Sequence, residues 1–365
     1  QRDDIKEVSV LMTPKERFYA CLDGAVNNKV PVLAYHFLLP RGELERRLRE
    51  VGCGLLVGVP VYELVFPPQI ILEEVHRWNH GEKVIVRTYN TPLGSLREVV
   101  TLSPYGSEWR REHLIQCAED YKILVYLLEN VTFKEKIEDF VFAQSEIGDD
   151  GIVVPMLPLF ERSPFQKALV DLAGPERLLL DLYDRPQHVE ALITCLTERF
   201  EEALRIYRML PERRIFWWVD NVTADFTTPQ LFRSFCLPIY ERYLAPLREE
   251  GIICMVHLDG KLKALCELIR KAPIDVVESF TLPEQGGDLS LEEAHSVWSD
   301  KVIAANIPAN LAYREREEIA VFFRDLLERR CVKGKFILEL SEDVPRESLP
   351  KVMATLYDVL REGGF

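Results

Sequence analysis

Ile252-Ile253-Cys254-Met255-Val256-His257-Leu258-Asp259-Gly260 combines an unbroken apolar run with a polar tail. A run without polar alternation reads as a strand buried on both faces, as parallel sheets require. His257 and Asp259 then place an imidazole and a carboxylate two residues apart, so in extended chain both point to one side. Gly260 lets the chain turn into the next element. Upstream the pattern predicts a helix over 228–250, and downstream one over 260–271.

The same unit recurs in both directions. Short apolar strands are predicted at 30–37, 55–59, 152–156, 215–219, 252–256, 275–277, 302–304 and 335–339. Helices are predicted at 41–51, 133–143, 163–172, 175–182, 186–208, 290–297, 314–330 and 346–361. A capping box, Thr13-Pro14-Lys15-Glu16, opens an N-terminal helix that continues to Ala25. Eight strands, most followed by helices, fit a (β/α)8 TIM barrel better than an open sheet. Residues 69–102 differ: two β-rich segments flank the turn cluster Asn90 to Ser95, which predicts a β-hairpin insertion. The whole chain, 1–365, reads as one decorated barrel domain.

Composition narrows the function. The 365 residues carry 45 basic and 59 acidic side chains, a net charge of −14. That disfavours nucleic acid and anionic membrane as partners. No apolar run reaches the ~18 residues of a membrane span. The polar start, Gln1 to Lys6, shows no signal peptide, and the eight scattered cysteines contain no C-x-x-C pair. A cytoplasmic location is expected.

Several motif-like fragments carry little. Gly52 to Gly58 misses the dinucleotide fingerprint and precedes a strand. Asp259-Gly260-Lys261 lacks the upstream glycine of a phosphate loop. Two E-x-x-H pairs, Glu73/His76 and Glu292/His295, read as surface helix chemistry. The charge run from Arg41 to Glu50 reads as a solvated helix face.

In a TIM barrel the active residues lie at the C-terminal ends of the strands. Those ends offer Tyr35 and His36, then Tyr62 and Glu63, Asp220 and Asn221, His257 and Asp259, Glu278, Asn306, and Glu339 with Glu342. His257, Asp259, Glu278 and Glu342 are the expected catalytic cluster. Histidine with carboxylates holds zinc or a harder divalent ion, so His257, Asp259 and Glu342 are the expected ligands. A structural histidine donating to Asp259 is the bland alternative. Tyr35, His36, Trp218, Asp220 and Asn306 are expected to bind substrate. Alternation lets only one of Trp217 and Trp218 point inward.

At these residues the chain resembles the uroporphyrinogen decarboxylase-like superfamily, which includes cobalamin-dependent methyltransferases. The likeness runs through Thr13 to Arg17, Lys29-Val30-Pro31-Val32, Thr91-Pro92-Leu93-Gly94-Ser95, Leu237-Pro238, His257 to Gly260, Glu278 to Pro283 with Gly287-Asp288, Asn306-Ile307-Pro308 and Ser341 to Pro345. It implies a TIM barrel. The first strand lacks the arginines with which the decarboxylases hold a porphyrinogen. The methyltransferase branch binds zinc through an H-x-C motif and a distal cysteine. Here Asp259 and Glu342 stand at those cysteine positions, which gives a harder, more Lewis-acidic site. The resemblance therefore implies a methyltransferase of O-demethylase type. It would take the methyl group from a small methoxylated compound, an aryl methyl ether being one candidate, to a corrinoid carried by a partner protein. A decarboxylase or lyase acting on a small carboxylic acid is the alternative. A homodimer would be unsurprising.

Overall fold

The computed structural model describes residues 12–24, 29–39, 41–79, 81–329 and 335–363. The polar start Gln1 to Lys6, and Cys331, lie outside them. Eight parallel strands form one curved sheet: Val32–Tyr35, Cys53–Pro60, Gly151–Met156, Ile215–Trp218, Ile253–His257, Val276–Phe280, Val302–Asn306 and Phe336–Leu340. The first strand pairs with both the second and the eighth. The ladder runs continuously from the fourth strand round to the third. The third and fourth strands share no ladder. At that seam Val219 N–H donates to Glu161 O at 2.6 Å. This is the predicted (β/α)8 barrel, nearly closed, with helices between the strands.

All eight strands are where the apolar runs put them, because each is buried on both faces. The fourth, sixth, seventh and eighth strands consist entirely of buried residues. Close approach sets one small residue. A Cβ on Gly151 would lie 2.2 Å from the carbonyl oxygen of Leu55, its partner on the second strand. Thr13 caps the first helix, Pro14–Leu22, in the predicted reciprocal arrangement with Glu16.

Three expectations are corrected. The insertion is a four-stranded antiparallel sheet, Ile71–Asn79, Glu82–Thr91, Gly94–Leu102 and Glu108–Glu112, rather than a hairpin ending at 102. Its predicted turn is real, with Thr91 Oγ1 accepting from Leu93 N–H and donating to Gly94 O. The segment predicted as helix 133–143 begins as a short strand, Thr132–Glu135, paired to Tyr62–Val65, and turns helical at Ile137–Ile147. The helix predicted from 260 is α-helical only over Cys266–Lys271, after a single tight turn at Lys263–Leu265. A helix at Ala118–Asn130 was not predicted.

Within the sheet one arginine links all four strands. Arg87 Nε donates to Glu74 at 2.8 Å, and its terminal nitrogens reach Glu98 at 3.2 Å and Glu108 at 2.5 Å. The first E-x-x-H pair lies here, on strand Ile71–Asn79, and not on a helix. The second does lie on a helix, Leu291–Val297, but His295 is buried rather than surface.

Candidate active site

Five buried side chains meet at the C-terminal end of the barrel. Glu278, on the sixth strand, has no exposed surface. A carboxylate buried that fully must be compensated. Tyr35 from the first strand donates to its Oε1 at 2.5 Å. His257 Nδ1, across the fifth-to-sixth pairing, lies 2.9 Å from Oε2, and Trp217 Nε1 donates to the same oxygen at 3.1 Å. Glu339 from the eighth strand lies beside it and shares a hydrogen bond with it.

The two carboxyls divide one proton. Burial and the neighbouring Glu278 charge push Glu339 well above the ordinary carboxyl range. Burial also penalises charge on Glu278, but His257 and the donors around it outweigh that and hold it low. Glu339 is thus the protonated partner and Glu278 the anion. Burial alone would lower the His257 pKa. The Glu278 contact, with Asp259 and Glu342 nearby, overturns that and raises it to about 9.

His257 is therefore fixed by Glu278 at Nδ1, which leaves Nε2 for a further partner. One donor atom from each of His257, Asp259 and Glu342 lies within 4.8 Å of the other two. A histidine held by a carboxylate behind it is the usual backing of a metal ligand. The three donors fit a divalent ion: one imidazole nitrogen and two carboxylates, the three-protein-ligand set of catalytic zinc sites. Glu342 is positioned by Asn306 Nδ2 at 3.3 Å and Ser279 Oγ at 3.4 Å. Burial above all, with the Asp259 and Glu278 charges, raises its pKa, against a lowering by His257. Gly260, at φ +69°, makes the predicted turn just beyond Asp259 and donates to Thr281 Oγ1 at 2.8 Å.

Backbone strain helps aim this cluster. Ser279 has φ +56°, unusual for a residue with a side chain. The sixth strand shifts register against the seventh between Val277 and Phe280, a bulge centred on this serine. Ser279 Oγ also meets Ser341 Oγ at 2.9 Å.

Beside the cluster opens a cavity of about 390 Å³. Tyr35, His36, Phe37, Met156 and Trp217 form its apolar wall, and Arg110, Arg162 and Lys167 its cationic one. Asp171 anchors those cations, with Lys167 at 2.8 Å and Arg110 at 2.9 Å. Arg110 comes from the inserted sheet, so the insertion contributes directly to the cavity. Burial lowers the His36 pKa, and its Nδ1 has no hydrogen-bond partner.

The expected residues thus fall into two groups. His257, Asp259, Glu342, Glu278, Tyr35 and Asn306 come together, and His36 lines the cavity. Trp218 and Asp220 do not reach it. Trp218 points outward and packs against Phe200, Phe216 and Tyr240, so Trp217 is the tryptophan that faces inward. Asp220 is buried beneath the mouth, accepting from Ser163 N–H at 2.6 Å, Ser163 Oγ at 2.7 Å and Tyr240 Oη at 2.5 Å. Tyr62 and Glu63 are also remote: Tyr62 Oη donates to Pro158 O, and Glu63 pairs with Lys134 and Lys136. Glu339 and the Arg110, Arg162 and Lys167 wall were not among the expected site residues. Spacing could have flagged Lys167 and Asp171, which stand four apart.

No curated protein sequence matches the chain significantly. A solved structure of a methyltransferase from Methanosarcina mazei superimposes with a TM-score of 0.57 at 13% identity, covering 97% of this chain and 100% of the other. At that identity the likeness speaks for the barrel fold. The family model described as uroporphyrinogen decarboxylase (URO-D) matches residues 160–363, more than half of the chain and the stretch that carries His257, Asp259, Glu278, Glu339 and Glu342. The chain belongs to the uroporphyrinogen decarboxylase (URO-D) family.

Proposed function

We propose that this protein is a methyltransferase of O-demethylase type. Its methyl donor would be a small methoxylated compound, an aryl methyl ether fitting best. Its methyl acceptor would be the corrinoid of a separate protein. The observation that carries the reading is the convergence of His257, Asp259 and Glu342, one imidazole and two carboxylates, backed by buried Glu278. The methyltransferase from Methanosarcina mazei, with the same fold, supports the reaction class.

A divalent ion, zinc or a harder metal, would be held by these three residues and would supply Lewis acidity towards an ether oxygen. The chain's own groups do the remaining work. Glu278 and Tyr35 fix the imidazole's orientation and tautomer. Asn306 and Ser279 orient Glu342. Phe37, Met156 and Trp217 offer an aromatic body a water-poor surface, and the cations opposite suit an acidic substituent. That cationic wall also favours a second reading, a decarboxylase or lyase on a small carboxylic acid in the same cavity.

The test is incubation with cob(I)alamin and a panel of methoxylated compounds, scored by the methylcobalamin spectrum. Metal analysis accompanies it on wild type, His257→Ala and Glu342→Ala. Methyl transfer that fails in both variants, with metal lost, supports the proposal. Full activity in both variants overturns the site assignment. No transfer from any compound, with CO2 released from a carboxylic acid, selects the second reading.

A further inference from the structure

The inserted sheet ends on an edge that looks built for a second copy of itself. Strand Ile71–Asn79 pairs with Glu82–Thr91 on one side only, and every one of its nine residues is exposed. An open edge of this length presents a row of unpaired backbone donors and acceptors, which natural proteins usually blunt. Here it is neither short nor covered. It bears Ile71 at 56%, Val75 at 44% and Trp78 at 77% exposure.

The order of side chains along this edge is complementary to its own reverse. Set two copies antiparallel with the two-fold axis on Val75. Leu72 then faces Trp78 of the other copy, Glu73 faces Arg77, Glu74 faces His76, and Val75 faces Val75. Directly opposed residues in an antiparallel pair sit ~4.5–5.5 Å apart at Cβ and interact. Glu74 and His76 already bond to each other within each strand, and Glu74 also takes Arg87, so the new ion pairs are the two Glu73–Arg77 oppositions, joined by two Leu–Trp contacts. Neighbouring registers lose this match. An axis on Glu74 sets Glu74 against Glu74 and Glu73 against Val75. An axis on His76 sets Glu74 against Trp78 and Arg77 against Val75. Glu73 and Arg77 are the charged pair available to a second copy: Arg77 makes no ion pair among the described residues, and Glu73 only accepts from Asn90 at 3.3 Å.

We propose that strand Ile71–Asn79 is a dimerisation edge, joining two copies of this chain into one eight-stranded antiparallel sheet in the register centred on Val75. Such an isologous contact closes after two copies, so it gives a dimer and not a fibre. The match is electrostatic as well as apolar, so it specifies register and not merely stickiness.

Sedimentation equilibrium on the full chain tests this by charge exchange. Arg77→Glu alone and Glu73→Arg alone should each raise the dimer dissociation constant at least tenfold. The double variant Glu73→Arg/Arg77→Glu should return it to within about threefold of wild type, because each new pair is again opposite in sign. A short bismaleimide should cross-link Val75→Cys chains into dimers. It should leave Leu93→Cys, exposed at the far turn of the same sheet, at the wild-type background. A wild-type chain monomeric at 100 μM overturns the proposal. So does a dimer indifferent to the single reversals, a double variant that stays weak, or equal cross-linking at both positions.

Discussion

Glu278→Gln separates charge from shape at the heart of the site. The carboxylate takes Tyr35 Oη at 2.5 Å on one oxygen, and His257 Nδ1 at 2.9 Å and Trp217 Nε1 at 3.1 Å on the other. An amide can keep its oxygen towards His257 and Trp217 and turn its NH2 to the Tyr35 hydroxyl, which then accepts. Volume and the bonds to Tyr35, His257 and Trp217 survive, so the melting temperature should move little. What disappears is the negative charge that raises His257 basicity. Removing such a carboxylate from behind a metal-bound histidine typically weakens metal affinity 10–100-fold, or about 1.4–2.7 kcal/mol. Glu342→Gln, altering a proposed ligand itself, should cost more. The assay is competition for zinc or cobalt against a chromophoric chelator, with circular dichroism confirming the fold. Cobalt adds a visible spectrum that reports coordination. Wild-type protein that binds no ion, or Glu278→Gln binding within twofold of wild type, would refute the reasoning.

Three further outcomes follow from the geometry. Trp217→Phe should raise KM for the methyl donor several-fold and, by removing the Nε1 donor to buried Glu278, cost about 1–3 kcal/mol of stability. Trp218→Phe should leave KM within twofold and cost about 1–3 kcal/mol of stability through the space it opens; the reverse KM pattern would mean that the strand is phased the other way. Gly151→Ala should destabilise by at least about 2 kcal/mol, because a Cβ placed 2.2 Å from Leu55 O must push the second and third barrel strands apart; an unshifted denaturation midpoint would contradict this. Burial holds buried His295 at a pKa of about 4, with Lys335 assisting and Glu292 opposing. The unfolded chain takes up that proton near pH 6.5, so the stability due to the neutral ring is complete above that pH and drains as pH falls towards 4. The loss is up to about 3 kcal/mol. His295→Phe should flatten this stretch of a pH series of urea melts, and a slope unchanged in the variant would assign it to other groups.

The barrel was legible because burial on both faces writes a strand as an uninterrupted apolar run. Strand ends were legible for the complementary reason: Tyr35, His257, Glu278 and Asn306 interrupt those runs where the chain reaches the mouth. The inserted sheet was half hidden. Strand Ile71–Asn79 is exposed throughout and reads as Glu-Glu-Val-His-Arg, without the alternation that a one-sided core imposes. Strand Glu108–Glu112, Glu-Trp-Arg-Arg-Glu, is no clearer. Trp218 was preferred over Trp217 because a four-residue strand does not reveal which parity faces the axis. That is fixed by the helices packed outside, through Phe200 and Tyr240. Glu339 lay in view but its role depended on Glu278, two strands away round the barrel, and no local spacing encodes that distance.

The bulge at Ser279 works as a phase shift in the sixth strand. Regular alternation would send Glu278 and Phe280 to the same face. With one residue absorbed at φ +56°, Glu278 turns into the barrel, while Phe280 meets Trp298 among the outer helices, ring centroids 6.2 Å apart. A single left-handed residue thus lets one short strand supply an inward anion and an outward aromatic anchor almost back to back. Deleting it would trade one for the other, so the serine couples the chemistry of the mouth to the packing of the shell.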